Sequence, residues 1–215
     1  KYTEAEATAT SGITTVHWKE EFPAIFNMLM NHAENVYLNT NENDRASIIV
    51  TSRDARFVTD TKSRFPLHNY ERSAPIMAKL RTSKSEFGKQ LIQTACDITN
   101  KAFRRVLAFV KPGVMEYEIE AEIMHTFLSN RATRQAYGSI IASGANACVL
   151  HYVDNNQPCN DGDLLLMDFG AEYGNYCDDL TRTIHVNGKF TRRQKTVYNA
   201  CLHLHRYAAS ILKPV

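Results

Sequence analysis

The chain has 215 residues, of which 44% are hydrophobic, so it is long enough to form one large domain or two small ones with packed cores. Its 25 basic and 23 acidic residues are scattered rather than grouped in blocks. This balance excludes a strongly basic surface for nucleic acid or for an anionic membrane. We therefore expect no nucleic-acid or membrane partner, and a small neutral or zwitterionic partner fits better.

The cysteines and the hydropathy argue against a disulfide-linked, zinc-thiolate or membrane-spanning protein. The five cysteines are an odd number and include no C-x-x-C pair, which argues against a disulfide framework and against a thiolate zinc site. Reduced thiols in a cytoplasmic protein are the expectation. No apolar run reaches the roughly 20 residues that a membrane-spanning helix needs, and no signal peptide is recognisable.

The first third of the chain predicts a small α/β unit. A helix is expected over residues 20–31, with Pro23 tolerated in its first turn, and a short apolar strand over residues 47–51. Residues 63–83 contain Pro66 and Pro75 and are expected to form an irregular passage between two domains.

Three helices are predicted in the remainder of the chain. The first begins at a capping box, Ser83-x-x-Glu86, and continues with apolar residues at helical spacing as far as Phe109. Pro112 and Gly113 explain its end, because proline lacks an amide donor and glycine accepts a left-handed backbone. A second helix is expected over 116–129, and a third from the capping box at 191–194 to residue 211.

Between the second and third helices the pattern changes to that of strands. Residues 163–172 and 176–186 predict the two arms of a β-hairpin, joined through Gly174 and Asn175. Asp168 lies within the otherwise apolar first arm, where an unpaired carboxylate would be costly to desolvate. It therefore needs a cation, a hydrogen-bond network or a bound proton.

Asp179 on the second arm is expected to fold back approximately opposite Asp168. Cross-strand neighbours lie about 4.5–5.5 Å apart at Cβ, so the two carboxylates would repel each other unless a metal ion lay between them. Hard oxygen ligands favour manganese, magnesium or calcium, with zinc or cobalt as alternatives if a histidine joins. An alternative also stays open: Asp168 and Asp179 are ordinary strand-end residues, paired with Arg182 or Arg134.

Two neighbouring residues are weighed separately. Asp178 faces away from Asp179 and is expected to be exposed to solvent. His151 ends an apolar stretch, where a histidine is more often a hydrogen-bonded core residue than a catalytic one. Histidine nevertheless titrates near neutral pH, which suits proton transfer or a hydrogen bond to a bound carbonyl. The other seven histidines are interpreted as structural or surface residues.

Four motifs follow one another in the second half of the chain: residues 140–152 (IIASGANACVLHY), 161–173 (DGDLLLMDFGAEY), 179–183 (DLTRT) and 187–190 (NGKF). In their order and spacing they together resemble the aminopeptidase P (Xaa-Pro aminopeptidase) branch of the pita-bread metallopeptidases. Residues 109–120 (FVKPGVMEYEIE) also resemble that family's catalytic domain near its start. The resemblance implies an α/β (α+β) chain: residues 1–80 the later part of a creatinase-type N-terminal domain, and residues 83–215 the first half of a pita-bread domain.

The resemblance also implies a chemistry. Asp168 matches the family's first metal-binding aspartate, Asp179 the aspartate that bridges both metals, and His151 the histidine that contacts substrate and stabilises the reacting carbonyl. The cofactors would be two divalent ions, usually manganese, that activate a water against the bond between the first residue and proline. The expected partners are a peptide with proline in second place and, in the full-length protein, a second copy in a homodimer.

The remaining family ligands, one histidine and two glutamates, are expected downstream of Val215, so the chain is expected to be truncated and inactive by itself. Three rivals stay open. A non-catalytic pita-bread binding module would have no chemical need for His151, Asp168 and Asp179 together. A methionine aminopeptidase would lack the upstream domain suggested by residues 1–80, and a metal-free creatinase would not need paired aspartates.

Overall fold

A computed structural model describes residues 2–40, 42 and 49–214 of the chain. The chain forms two compact units, Lys1–Ser83 and Lys84–Val215. Among the described residues, no helix is both long and apolar enough to cross a membrane.

The first unit is a small α/β arrangement of four helices and two strands within its described part. The elements are α1 (Glu4–Ser11), a 3-10 turn (Lys19–Glu21), α2 (Phe22–Met30), β1 (Asn35–Leu38), α3 (Arg53–Arg64), β2 (Asn69–Arg72) and α4 (Ala74–Thr82). The two strands pair in parallel, with Asn35 opposite Asn69. The predicted helix over 20–31 is confirmed as α2, and Pro23 lies in its first turn.

Two expectations for this unit were wrong. Residues 47 and 48 of the predicted strand lie outside the described residues, while Ile49 and Val50 form an exposed bend rather than a strand. Residues 63–83 are largely regular, because β2 and α4 lie within them. Pro75 occupies the first turn of α4, where its missing amide hydrogen costs the helix nothing.

The second unit contains the three predicted helices and a set of short strands. The elements are α5 (Glu86–Phe109), α6 (Glu116–Ser129), β3 (Arg134–Gln135), β4 (Ile140–Ser143), a 3-10 turn (Gly144–Cys148), β5 (Leu164–Phe169), β6 (Ala171–Tyr173), β7 (Tyr176–Cys177), β8 (Leu180–His185) and α7 (Arg192–Ile211). Thr191 and Gln194 form the capping box predicted for α7. The cap of α5 is Ser85, whose hydroxyl accepts from the Gly88 amide, so the predicted box at Ser83 was wrong by two residues.

The predicted hairpin is confirmed, with one interruption. Gly174 and Asn175 both have positive φ, 58° and 65°, as the tight turn between β6 and β7 requires. Pairing keeps the same register through β5 and β8, where Leu164 lies opposite His185. The ladder breaks beside Gly170, where a Cβ atom would lie 2.0 Å from the Asp178 carbonyl oxygen, so only glycine fits this close approach.

The two faces of the sheet β4–β5–β8 have different surroundings. One face packs against α5 and α6 and forms the core of the unit, with buried residues that include Val106, Ile119, Ile123, Phe127, Ile141, Leu165, Met167 and Phe169. Strand alternation places Leu164, Leu166 and Asp168 on the opposite face, where each is half-buried. The predicted site therefore lies on the sheet face turned away from α5 and α6.

Candidate metal centre

Asp168 lies near the end of the central strand of its sheet. In β5 it pairs with Ile140 of β4 on one side and with Thr181 of β8 on the other. Because both neighbouring strands are antiparallel to β5, the backbone around Asp168 is held in hydrogen-bonded ladders on both sides. The carboxylate is thus carried by a rigid element rather than by a loop.

Asp179 immediately precedes β8, where the ladder is interrupted. The register places Thr181 directly opposite Asp168, so Asp179, which was expected approximately opposite Asp168, is its diagonal neighbour on the same face. Diagonal neighbours on one face of a sheet lie about 7–8 Å apart, still within reach of a shared partner. The two carboxylates share one face of the hairpin, where Asp168 is half-buried and Asp179 is exposed.

Tyr137 supplies that shared partner. Its hydroxyl oxygen lies 2.5 Å from Asp168 Oδ1 and 3.0 Å from Asp179 Oδ1, within hydrogen-bond distance of both. Burial raises the pKa of the Tyr137 phenol well above its usual range, and the hydrogen bonds to the two aspartates raise it further. The phenol therefore stays protonated and serves as a hydrogen-bond donor to the pair.

The remaining carboxylate oxygens suit a cation. Within the described residues, no hydrogen bond reaches Oδ2 of Asp168 or Oδ2 of Asp179. A protonated tyrosine brings one hydrogen to two carboxylates, which leaves most of their acceptor capacity unused. The donor set fits a hard divalent ion, but the described part of the chain assembles no group of three or more acidic, histidine or cysteine side chains for one. Asp168 and Asp179 thus offer part of the donor set that such an ion would need.

The alternative, in which Asp168 and Asp179 are strand-end residues paired with arginines, is not what is observed. The Arg134 guanidinium donates to the Glu172 carboxylate at 2.8 Å, and Arg182 donates to the Thr181 carbonyl at 2.7 Å. In the described structure neither arginine contacts Asp168 or Asp179. Basic side chains therefore do not neutralise the two aspartates, which leaves Tyr137 as their described hydrogen-bond partner.

Asp178 differs from its expected exposure. Its Oδ1 accepts from the Thr99 hydroxyl at 2.8 Å and from the Ala171 amide at 2.6 Å, which ties the hairpin to α5. Burial raises the pKa of the Asp178 carboxyl above its ordinary value, partly offset by these hydrogen bonds. The expectation of a solvent-exposed side chain was wrong, because the close crossing at Gly170 turns Asp178 towards α5.

His151 has surroundings different from those of the two aspartates. It is exposed, in a turn that follows the 3-10 segment, and its φ of 55° is in the left-handed region that non-glycine residues seldom adopt. Among the described residues no hydrogen bond joins it to Asp168, Asp179 or Tyr137. The common core role of a histidine is therefore wrong here, and His151 is available to a ligand from solvent.

Comparisons with known proteins agree with this arrangement. Residues 90–215 match the model of metallopeptidase family M24. The chain belongs to metallopeptidase family M24. It is 41% identical over 140 residues to a Xaa-Pro aminopeptidase of Haemophilus influenzae, and 39% identical over 146 residues to that of Escherichia coli. In each case the match covers 65% of this chain and 33% of the relative.

Solved structures extend the similarity of this M24 chain to its fold. Proline aminopeptidase P II from Yersinia pestis superposes with a TM-score of 0.80 at 29% identity, over 98% of this chain and 48% of that one. A zinc-substituted E. coli aminopeptidase P in complex with product gives 0.79 at 32% identity, over 97% and 48%. The predicted α/β pita-bread class and the resemblance to aminopeptidase P are confirmed. The chain spans about a third of the length of the curated relatives it matches.

Two residues of the M24 chain escaped the sequence reasoning. Tyr137 lies 31 and 42 positions from the aspartates it contacts, so no local spacing connects it with them. Glu116 was assigned no role, although a carboxylate at the start of an amphipathic helix is a recognisable signal. Its position beside the Pro112–Gly113 break was the available hint.

Proposed function

We propose that the protein containing this chain is a metal-dependent exopeptidase that releases the first residue from peptides with proline in second place. The observation that supports this most directly is the pair Asp168 and Asp179 in a chain of family M24. Both lie on one sheet face, and no hydrogen bond from the described residues reaches Oδ2 of either carboxylate. The names of the relatives from H. influenzae and E. coli support the Xaa-Pro preference.

In this proposal Asp168 and Asp179 hold divalent ions, two in number and manganese by preference, with zinc or cobalt as alternatives. When bound, such ions supply Lewis acidity, which lowers the pKa of a water and polarises the scissile carbonyl. Tyr137 keeps the carboxylates at fixed separation by donating to them. His151, exposed at its turn, donates to or exchanges a proton with the substrate carbonyl region.

The proposal includes a limit on the 215-residue polypeptide by itself. Two carboxylates are fewer ligands than a dinuclear site needs, and the described residues bring no third metal-binding side chain to them. We propose that this polypeptide alone binds manganese weakly and cleaves little Xaa-Pro peptide. Turnover then depends on a histidine and two glutamates supplied by further sequence.

Other features follow the family resemblance and remain proposals. Residues 1–80 would belong to a creatinase-type N-terminal domain and residues 83–215 to the first half of a pita-bread domain. A homodimer of the full-length protein is the proposed assembly. A cytoplasmic location is supported by the cysteines, since all five are free and four of them are exposed.

The metal ligands are tested first on the chain itself. Mn²⁺ is titrated into the protein and free Mn²⁺ is followed by its paramagnetic resonance signal. We expect weak binding that Asp168→Asn and Asp179→Asn each reduce, and that Asp154→Asn, at an exposed position outside the site, leaves unchanged. Equal binding by all four proteins would contradict the assignment of the two ligands.

Activity is tested in a chimera, in which the chain replaces the matching half of the E. coli enzyme. We expect Mn²⁺-dependent release of the first residue from an Xaa-Pro-Xaa peptide, and its loss in Asp168→Asn and Asp179→Asn. A folded chimera that binds metal without turnover would favour a non-catalytic binding module. Robust turnover by the 215-residue polypeptide alone would contradict the proposed limit.

A further inference from the structure

Glu116, the first residue of α6, is a carboxylate with no solvent exposure. Isolated buried charges are strongly disfavoured, so a glutamate at 0% exposure requires several donors around it. Its position in the first turn of a helix supplies part of the compensation, because the free amides there favour negative charge. The rest comes from outside the helix.

Four donors from one following segment surround the Glu116 carboxylate. Oε1 accepts from the Ser143 amide at 2.8 Å and from the Asn146 side-chain amide at 3.1 Å. Oε2 accepts from the Tyr152 hydroxyl at 2.7 Å and from the Gln157 amide at 3.0 Å. One side chain thus binds a fifteen-residue stretch of chain at four points.

The two side-chain donors close a loop, which we call the 146–152 loop after its end residues. Asn146 also donates to the Tyr152 hydroxyl at 3.0 Å, so the two ends of the loop contact each other as well as Glu116. The ends are inward, with Tyr152 only 9% exposed, whereas Leu150 between them is 92% exposed. His151 lies in this outer part, directly before the anchor Tyr152.

We propose that Glu116 is a positioning residue, which holds the 146–152 loop closed and thereby fixes His151 for contact with substrate. This inference rests on the proposed function for the role of His151, but the closed loop stands on contacts alone. The left-handed backbone of His151, at φ 55°, needs such support, because this conformation is disfavoured for a residue with a Cβ. Anchors on both sides of the loop provide it.

The hydrogen bonds by which Glu116 holds the 146–152 loop closed are called the Glu116 clamp. Glu116→Gln tests this clamp, because glutamine has nearly the same volume as glutamate. Each carboxylate oxygen faces a backbone amide, Ser143 or Gln157, so either orientation of a glutamine places its NH₂ group against a donor. Glu118→Gln is the matched control, since Glu118 lies in the same helical turn, is exposed and accepts a single backbone hydrogen bond from Met115.

Hydrogen exchange on the chain itself provides the first readout. The Val149 amide donates to the Asn146 carbonyl at 2.9 Å within the loop and does not contact Glu116. In Glu116→Gln we expect protection at Val149 to fall roughly tenfold or more, while protection in α6 at Ile123 is retained. Unchanged protection at Val149, or equal loss at Ile123, would overturn the clamp.

The second readout separates positioning from general support, in the chimera assay with an Xaa-Pro-Xaa peptide. Glu116→Gln and His151→Ala are each expected to lower kcat/KM, and the double variant should be no worse than His151→Ala alone. A further loss in the double variant, as a merely structural residue would give, overturns the inference. If wild type and all variants fail to turn over peptide, the proposed function fails while the exchange result still decides the clamp.

Discussion

At the scale of single residues, the centre of the site is a tyrosine between two acids. A phenol carries one hydrogen, whereas Asp168 and Asp179 each present several acceptor positions to it. Tyr137 therefore reduces the repulsion between the carboxylates without neutralising either charge. A cation bound on the same face would offset the repulsion that remains, and this is the physical reason for proposing a metal site rather than an ordinary strand-end pair.

Removal of the Tyr137 hydroxyl should be measurable as lost stability. We expect Tyr137→Phe to lower the free energy of unfolding by about 1.5–3 kcal/mol, the usual contribution of a hydrogen bond to a charged group. Chemical denaturation at neutral pH is the measurement. Tyr117→Phe is the control, since Tyr117 is 54% exposed, and it should change stability little. An equal effect of the two substitutions would show that the bridge contributes nothing.

A second residue predicts a dependence on pH. His185 Nε2 is buried without a hydrogen-bond partner among the described residues, and burial lowers the pKa of this imidazole. When the pKa of a histidine is lower in the folded state than in the unfolded state, its contribution to stability is fully present at a pH above the unfolded-state pKa. This contribution is lost as the pH falls through the folded-state pKa. Acidification should therefore destabilise the protein through His185.

The measurement is the free energy of unfolding at about pH 7.5 and at about pH 5.5, on either side of the ordinary histidine value. His185→Leu keeps an apolar side chain against Phe190 but cannot be protonated, so it should lose less stability on acidification than wild type. His203→Gln, at an exposed position of α7, should retain the wild-type loss. If His185→Leu also retained it, the buried imidazole would not be the cause.

At the scale of elements, the hairpin and α5 are joined at the point where the ladder is interrupted. Thr99 is buried, its hydroxyl donates to Asp178, and it accepts from the Ala171 amide at 3.0 Å. The Ala171 amide also donates to Asp178, so this carboxylate replaces the missing backbone partner beside Gly170. Because Asp179 follows directly, this joint also orients the second candidate ligand.

Two substitutions at Asp178 should separate hydrogen bonding from charge. Asp178→Ala removes the acceptor of the buried Thr99 hydroxyl and leaves the Ala171 amide with Thr99 as its remaining acceptor, so it should cost about 1–3 kcal/mol of stability. Asp178→Asn keeps an oxygen for both donors and should cost clearly less, since Oδ1 alone accepts both hydrogen bonds. Thermal or urea unfolding measures both. Equal losses in the two variants would mean that charge, rather than the acceptor, holds the joint.

The predicted elements that proved correct have strong local causes. The third helix has a complete capping box, Thr191 with Gln194, and the hairpin turn has two adjacent residues suited to positive φ. The strands β1 and β2 were missed because they are four residues each and pair across more than thirty positions of sequence. Such strands depend on tertiary pairing, which leaves little periodic signal.

The candidate site likewise has features that local sequence predicts and features that depend on distant residues. Strand alternation placed Asp168 and Asp179 on one face, because that follows from a period of two and a short turn. Their diagonal offset, their contact with Tyr137 and the clamp at Glu116 depend on residues brought together from distant positions. The burial of Asp178 depends on the close crossing at Gly170, which spacing alone does not reveal.

At the scale of the whole molecule, α7 exposes a large apolar surface on a chain that has little net charge. The second unit buries its core between α5, α6 and one sheet face, whereas α7 contributes no buried residue over its 20 positions. The large apolar residues of α7 that are exposed include Val197, Leu204, Tyr207 and Ile211. With a net charge of only +2, the chain has little electrostatic repulsion to keep such surfaces apart.

This surface predicts concentration-dependent self-association of the 215-residue polypeptide, because contiguous exposed apolar residues favour burial against another molecule. The double substitution Leu204→Lys with Ile211→Lys, at positions 64% and 58% exposed, should shift sedimentation towards a single chain without loss of stability. Asn199→Lys with Ser210→Lys adds the same charge to exposed positions of the same helix and removes no apolar side chain. If both pairs dissociate the protein equally, charge is the cause; if wild type is already a single chain at high concentration, the apolar face of α7 is not adhesive.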